Sequence, residues 1–284
     1  QTMGVFVTND DVTIYYEDIV GGGDEDADPG PPLLLIHGWS GSSQAFCKNM
    51  RAFAKCCTRV VAVDLRSHGQ SQKVNHGFHV SRLAMDINNL LQHLQFNEVI
   101  MLGSSLGCAV IWSFVELFGC SRLRAAIFVD QAPFQNSSMD GAWRAGSKGI
   151  FGAQSLGWVL GKLSANKESF MRGNVEACMT RAPTESDVKL FQSIAMQADT
   201  DFLINLMCDH TNLDWRKTLP RVTCKTLVVG CGASKIFPLE GVQECAKLMP
   251  NSTFVCFEGG SHWIYYESPQ EFNELIINFL QGIL

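Results

Sequence analysis

No stretch of this chain reaches the ~18 consecutive apolar residues of a membrane-crossing helix. The N-terminus also lacks a basic segment followed by an apolar one, the pattern of a secretory leader. These two gaps predict a soluble protein that is neither secreted nor inserted in a membrane. A first residue Gln1 in place of Met is the expected mark of a trimmed end. The basic residues form no stripe, and 22 Lys and Arg against 28 Asp and Glu leave a net charge of −6, so neither nucleic acid nor an anionic membrane is expected as a partner. The 11 cysteines and 7 histidines show no repeated CxxC or other ligand-like spacing, so no metal and no cofactor is expected. The cysteines are scattered through apparent strands and helices, with Cys56 and Cys57 adjacent, which predicts a reduced, cytoplasmic protein. No internal repeat divides the chain.

What is present is enough apolar sequence for a large core. With 284 residues, 46% of them hydrophobic, the chain fits one large domain carrying an insertion better than two equal halves. Its charge and composition point to a small, largely apolar molecule as substrate, with a homodimer left open.

Residues 5–8 and 12–16 read as two strands joined by a turn at Asn9-Asp10-Asp11. The loop over residues 21–32 is rich in glycine, acid and proline and should be solvated and mobile. Leu33-Leu34-Leu35-Ile36 and Val60-Val61-Ala62-Val63 are continuous apolar runs, as expected of strands buried on both faces of a parallel sheet. A helix is expected over residues 43–54 between them. Leu83, Ile87, Leu90, Leu91 and Leu94 recur at helical spacing, and residues 109–118 read as a helix apolar nearly all round. Residues 125–129 form the next buried strand. From Phe134 to Leu219 the strand-helix rhythm gives way to helical stretches rich in Met, Trp and Phe, broken by Gly161, Gly173 and Pro183. Strands at residues 226–229 and 253–257, a helix over 238–249 with Pro238 in its first turn, and an amphipathic C-terminal helix complete the pattern. The expected fold is α/β, a mostly parallel doubly wound sheet formed by residues 1–133 and 220–284, with residues 134–219 inserted as a helical cap.

The chemistry-bearing residues fall at the ends of these strands, where ligands of such sheets bind. Val99 to Leu102 run into Gly103-Ser104-Ser105-Leu106-Gly107 and then an apolar helix. A strand that turns sharply into a helix presents its central serine above the sheet and leaves the first helix amides available to an anion. The bare pattern describes an ordinary Gly/Ser-rich turn equally well. What changes its weight is company: His37-Gly38-Trp39 after one strand, Asp130 after another, and His262 after the last.

Together, His37-Gly38-Trp39, the segment from Asp64 to Ser71, Gly103-Ser104-Ser105-Leu106-Gly107 and Gly260-Ser261-His262-Trp263 resemble the α/β-hydrolase superfamily, over nearly the whole chain. By these motifs the chain is most similar to the branch of cofactor-independent haloperoxidases, esterases, lactonases and carbon–carbon hydrolases of meta-cleavage products. The order Ser, Asp, His is that of this superfamily. The resemblance implies Ser105 as nucleophile, His262 as its base, and an oxyanion hole from the backbone amides of Trp39 and Leu106. Gly38, Trp39, Ser104, Phe134, Trp143 and Trp263 are the implied substrate contacts.

The acid is where the chain departs from the pattern. Family members most often carry it after the strand matching residues 226–229, and that loop here reads Gly230-Cys231-Gly232-Ala233-Ser234-Lys235-Ile236-Phe237-Pro238, without Asp or Glu. Ser234 stands in the acid's place. Some branches use a carboxylate after the preceding strand, a position held by Asp130, whose other reading is a structural turn cap. Glu240 is the more distant candidate.

His37 and Gly38 are expected to shape the oxyanion loop, Asp64 and Arg66 to brace that loop, and His68 to satisfy a local hydrogen bond. The polar segment from Cys208 to Arg216 reads as a helix-end network before a substrate contact, and Met171, Met179, Met196 and Met207 as core filler. The implied activity is hydrolysis of a carboxylic ester or lactone through an acyl-enzyme. Its competitors are carbon–carbon hydrolysis of a diketone and a non-hydrolytic ligand-binding or cyclase role. Dehalogenase and epoxide-hydrolase readings are weaker, because those enzymes carry Asp at the elbow where this chain has Ser105.

Overall fold

A hairpin opens the chain, β1 (Thr2–Val7) against β2 (Thr13–Val20), and β2 runs antiparallel to β4 (Arg59–Val63). From there the sheet is parallel. Strands β3 (Leu33–Ile36), β5 (Val99–Ser104), β6 (Leu123–Val129), β7 (Lys225–Cys231) and β8 (Ser252–Phe257) complete eight strands in the order β1-β2-β4-β3-β5-β6-β7-β8. The computed structural model describes residues 2–22, 30–137, 143, 146–147 and 155–283. The expected loop at 21–32 falls mostly on residues 23–29, outside that set.

The continuous apolar runs feed both faces because successive strand residues point to opposite sides. Leu34, Ile36, Val61 and Val63 join one core with α2 (Val80–His93), α3 (Leu106–Phe118) and α8 (Leu239–Leu248). Leu33, Leu35, Val60 and Ala62 join the other with α1 (Met50–Phe53), α9 (Ile264–Glu267) and α10 (Pro269–Gln281). The central helix α3 is buried over its first ten residues, as its all-round apolarity predicts.

Residues 43–54 do not form one helix. A 3-10 turn (Ser43–Phe46) and the short α1 are separated by Cys47-Lys48-Asn49. The buried Asn49 amide donates to Tyr265 O at 2.9 Å and Asn273 Oδ1 at 2.8 Å, anchoring the break to the C-terminal segment. Pro238 caps α8 and does not enter its first turn.

Among the described residues, four α-helices lie between β6 and β7: α4 (Leu156–Ala165), α5 (Lys167–Cys178), α6 (Glu185–Gln197) and α7 (Thr200–Asn212). Gly161 and Gly173 sit inside α4 and α5 and do not break them, since an isolated glycine costs a helix only ~1 kcal/mol relative to alanine. Pro183 does lie between helices. Val159, Leu163, Met171, Leu203 and Met207 give these helices an apolar cluster of their own, while Phe202 and Leu206 tie α7 to the sheet core.

Candidate active site

Between Ser104, the last residue of β5, and Leu106, the first of α3, Ser105 takes φ 54° and ψ −122°. A non-glycine residue rarely adopts this region, at a cost on the order of 1–3 kcal/mol, so its surroundings must enforce it. They do so through the backbone: Ser105 N–H donates to Val129 O at 3.0 Å, and its carbonyl accepts from Cys108 N–H at 2.8 Å. A Cβ on Gly103 would fall 2.5 Å from the Gly107 carbonyl carbon, and one on Gly107 would fall 2.2 Å from Ile36 O. The elbow therefore closes only with glycine at both positions.

The loop after β3 runs against this serine. A Cβ on Gly38 would lie 3.1 Å from Ser105 Cβ. His37 Nε2 accepts Leu65 N–H at 3.0 Å, which places the ring proton on Nδ1, donated to Gly38 O at 2.7 Å. Burial holds His37 down at about 4, so it is neutral and shapes the loop. Trp39 sends its indole N–H to Leu203 O at 2.9 Å, joining the loop to α7. In the following loop Asp64 accepts Ser43 N–H at 2.6 Å and Gln70 N–H at 2.7 Å, and the buried Arg66 guanidinium bonds both Asp86 and Asp10. Asp64 thus ties its loop to Ser43, just past the oxyanion loop, while Arg66 fastens its own segment to Asp10 and Asp86. His68 hydrogen-bonds Arg66 O at 2.9 Å, and burial, with His37 beside it, holds its ring at about 3.

Asp130 follows β6 with φ 48° and is fully buried. Its Oδ2 accepts from His262 Nδ1 at 2.7 Å and from Ser234 Oγ at 2.7 Å. Ser234 in turn accepts Ile236 N–H at 3.2 Å and Phe237 N–H at 3.4 Å. The serine in the usual acid position therefore donates to a carboxylate supplied by the neighbouring strand. Glu240 is exposed on the first turn of α8 and makes no such contact.

Ser105 and His262 line one cavity of about 40 Å³, together with Gly38, Trp39, Ser104 and Trp263. Trp263 is stacked on Phe191 with ring centroids 4.0 Å apart. Phe134 and Trp143 are not among the described residues lining it. Trp143 donates its indole N–H to Phe134 O at 2.9 Å, and the Arg216 guanidinium lies over both rings, so this pair packs on itself and on Arg216.

Gln135 and Asn174, which no sequence motif marks, also line the cavity, as do Met207 and His210, expected as core filler and as part of a helix-end network. The neighbours of His210 do form a helix-end network, with Asp209 accepting Val80 N–H at 2.9 Å and Asp214 paired with Arg216 at 2.7 Å. His210 itself turns inward with Leu206, Met207 and Thr211 on the buried face of α7, and this i, i+4 spacing is the signal that places it. Burial holds its imidazole at about 3, hence neutral, and its Nδ1 has no hydrogen-bond partner among the described residues. Met207 shares the cavity wall and is more than core filler. Among the described residues no group of three or more His, Cys, Asp or Glu is placed to hold a metal, and no helix is long and apolar enough to cross a membrane.

A mostly parallel eight-stranded sheet, helices on both faces and a serine at a strand–helix elbow define the α/β-hydrolase class. The chain belongs to the alpha/beta hydrolase fold family, whose profile matches residues 31–269. Among its relatives a non-heme chloroperoxidase of Kitasatospora aureofaciens is 26% identical over 98% of this chain and 99% of the other. Solved structures of similar fold include a bromoperoxidase from Bacillus anthracis, with a TM-score of 0.88 at 22% identity over 99% of this chain and 100% of the other. An esterase from Exiguobacterium antarcticum has a TM-score of 0.87 at 22% identity over 98% of both chains.

Proposed function

We propose that this protein is a serine hydrolase that cleaves a carboxylic ester or lactone of a small, largely apolar substrate through an acyl-enzyme. The observation that carries this reading is the buried Asp130–His262 contact at 2.7 Å, with His262 and the elbow Ser105 on the wall of one cavity.

A serine hydroxyl is a poor nucleophile near neutral pH and needs a base as it attacks. His262 Nε2 takes the Ser105 proton while Nδ1–H stays on Asp130, which holds the ring in the required tautomer and stabilises the imidazolium. The Ser105 Oγ–carbonyl bond forms, and the oxyanion is met by the backbone amides of Leu106 and Trp39. Leu106, first in α3, has no carbonyl one turn earlier to receive its N–H. His262 then protonates the departing alkoxide. In the second half a water loses its proton to His262, attacks the acyl carbon, and releases the acid and Ser105.

Helices α4 to α7 act as a cap over this site. Their own apolar cluster and the Asn174, Met207 and His210 side chains on the cavity wall support that role. The relatives named esterase agree with the reaction class. All eleven cysteines are unpaired, which suits a reducing, cytoplasmic setting.

Steady-state hydrolysis of p-nitrophenyl acetate tests the reading. Ser105→Ala and His262→Ala should each lower kcat by ~10⁴-fold or more with the thermal midpoint retained. Near-wild-type turnover by either variant would overturn the mechanism.

A further inference from the structure

The cavity at Ser105 is small: its volume of about 40 Å³ is well below the ~300–1,000 Å³ of typical small-molecule sites. Beside it, between α4 and α5, lies a groove of about 530 Å³, within the ~300–1,000 Å³ of typical small-molecule sites. The two spaces share a wall. Asn174 and Ile236 line both, so the groove lies directly against the catalytic cavity.

The groove's chemistry is that of a hydrocarbon chain. Val159, Phe170, Ala177 and Ile236 supply apolar surface, and Trp158 stands at 65% exposure, uncommon for so large an apolar side chain. Its polar residues have local work: Lys162 Nζ lies 3.6 Å over the Trp158 ring, and the Asn166 side chain caps α5 by accepting Ser169 N–H at 2.9 Å. Gly173 in the middle of α5 keeps the space open, because no atom of the described residues lies within 4 Å of where its Cβ would be.

We propose that this groove is the chain-binding subsite of the enzyme, and that its substrates are esters carrying an unbranched apolar chain running from Ser105 past Asn174 and Ile236 towards Trp158. This rests on the serine-ester reading above. The chain belongs to either the acyl or the alcohol half of the ester, and two substrate series separate these.

The test compares p-nitrophenyl acetate with p-nitrophenyl octanoate, and ethyl acetate with octyl acetate, in the wild type, Gly173→Trp and Gly161→Leu. Gly161 also has open space at its Cβ but lies outside the groove, so its variant is the control. In one of the two series the wild type should favour the long chain by ~10-fold or more in kcat/KM, as burial of several methylenes implies. Gly173→Trp should cut that preference at least ~10-fold, the loss expected when the buried methylenes are displaced, while Gly161→Leu keeps it. Equal preference in all three proteins would overturn the proposal. Titration with 1-decanol, followed by tryptophan fluorescence, reads the groove without turnover. A saturable change that is lost in Trp158→Phe and weakened at least ~10-fold in Gly173→Trp supports the subsite. No change in the wild type overturns it. Decanol binding without hydrolysis of any ester would keep the subsite and sink the serine-ester reading.

Discussion

Asp130 Oδ2 receives two hydrogen bonds of 2.7 Å, one from His262 Nδ1 and one from Ser234 Oγ. The carboxylate hydrogen-bonded to the histidine thus comes from the end of β6, and the loop after β7 contributes a hydroxyl to it. Asp130→Asn keeps the shape and removes the charge, and the amide can present the wrong hydrogen-bonding atom to Nδ1. The expected result is a fall in kcat of ~10⁴-fold for p-nitrophenyl acetate with little change in thermal midpoint. A loss under ~10-fold would move the acid to another residue.

Ser234→Ala removes one of the two donors to Asp130. A hydrogen bond to a charged group contributes ~1.5–3 kcal/mol, so if it holds the carboxylate in line kcat should drop ~10–100-fold. Ser234→Thr keeps the hydroxyl and should recover most of that loss. KM is the internal control: it should move little, because Ser234 lines neither the cavity nor the groove. Equal kcat values in Ala, Thr and wild type would show that Ser234 only closes its own turn.

Acid stability follows from three buried imidazoles. His37 is held at about 4, and His68 and His210 at about 3, mainly by burial. Their folded-state values lie below the ~6.5 of an unfolded histidine, so between about pH 6.5 and 4 the unfolded chain binds more protons and stability falls as pH falls. Each group contributes up to ~1.4 kcal/mol per pH unit in that window and nothing above it. Urea midpoints measured from pH 7.5 to 4.5 should therefore decline below pH 6.5. The decline should be shallower in His210→Leu, and an unchanged slope in that variant would show that His210 titrates normally.

The sheet was legible because its strands are short apolar runs that can be buried only on both faces, and because the order Ser105, Asp130, His262 carries its own information. Ser105, Trp39, Ser104 and Trp263 line one cavity. What sequence left open was decided by contacts distant in the chain. Whether Asp130 faces His262 or merely caps its own turn depends on how β6 and β8 end relative to each other. The split of residues 43–54 depends on Asn49 meeting Tyr265 and Asn273. Trp143 and Phe134 carry the composition of a pocket wall, yet Arg216 over both rings draws them into a cluster of their own. His210 was hidden by polar neighbours that do what polar helix ends do, while its own position on the buried face of α7 turns it inward.

Ser105 as an activated nucleophile is the claim on which everything else depends, and a fluorophosphonate probe reads it directly. Intact-mass and peptide analysis after brief exposure should show a single covalent adduct on Ser105, absent in Ser105→Ala and strongly slowed in His262→Ala. A folded wild-type protein that stays unlabelled, or carries the adduct at another residue, would contradict the account.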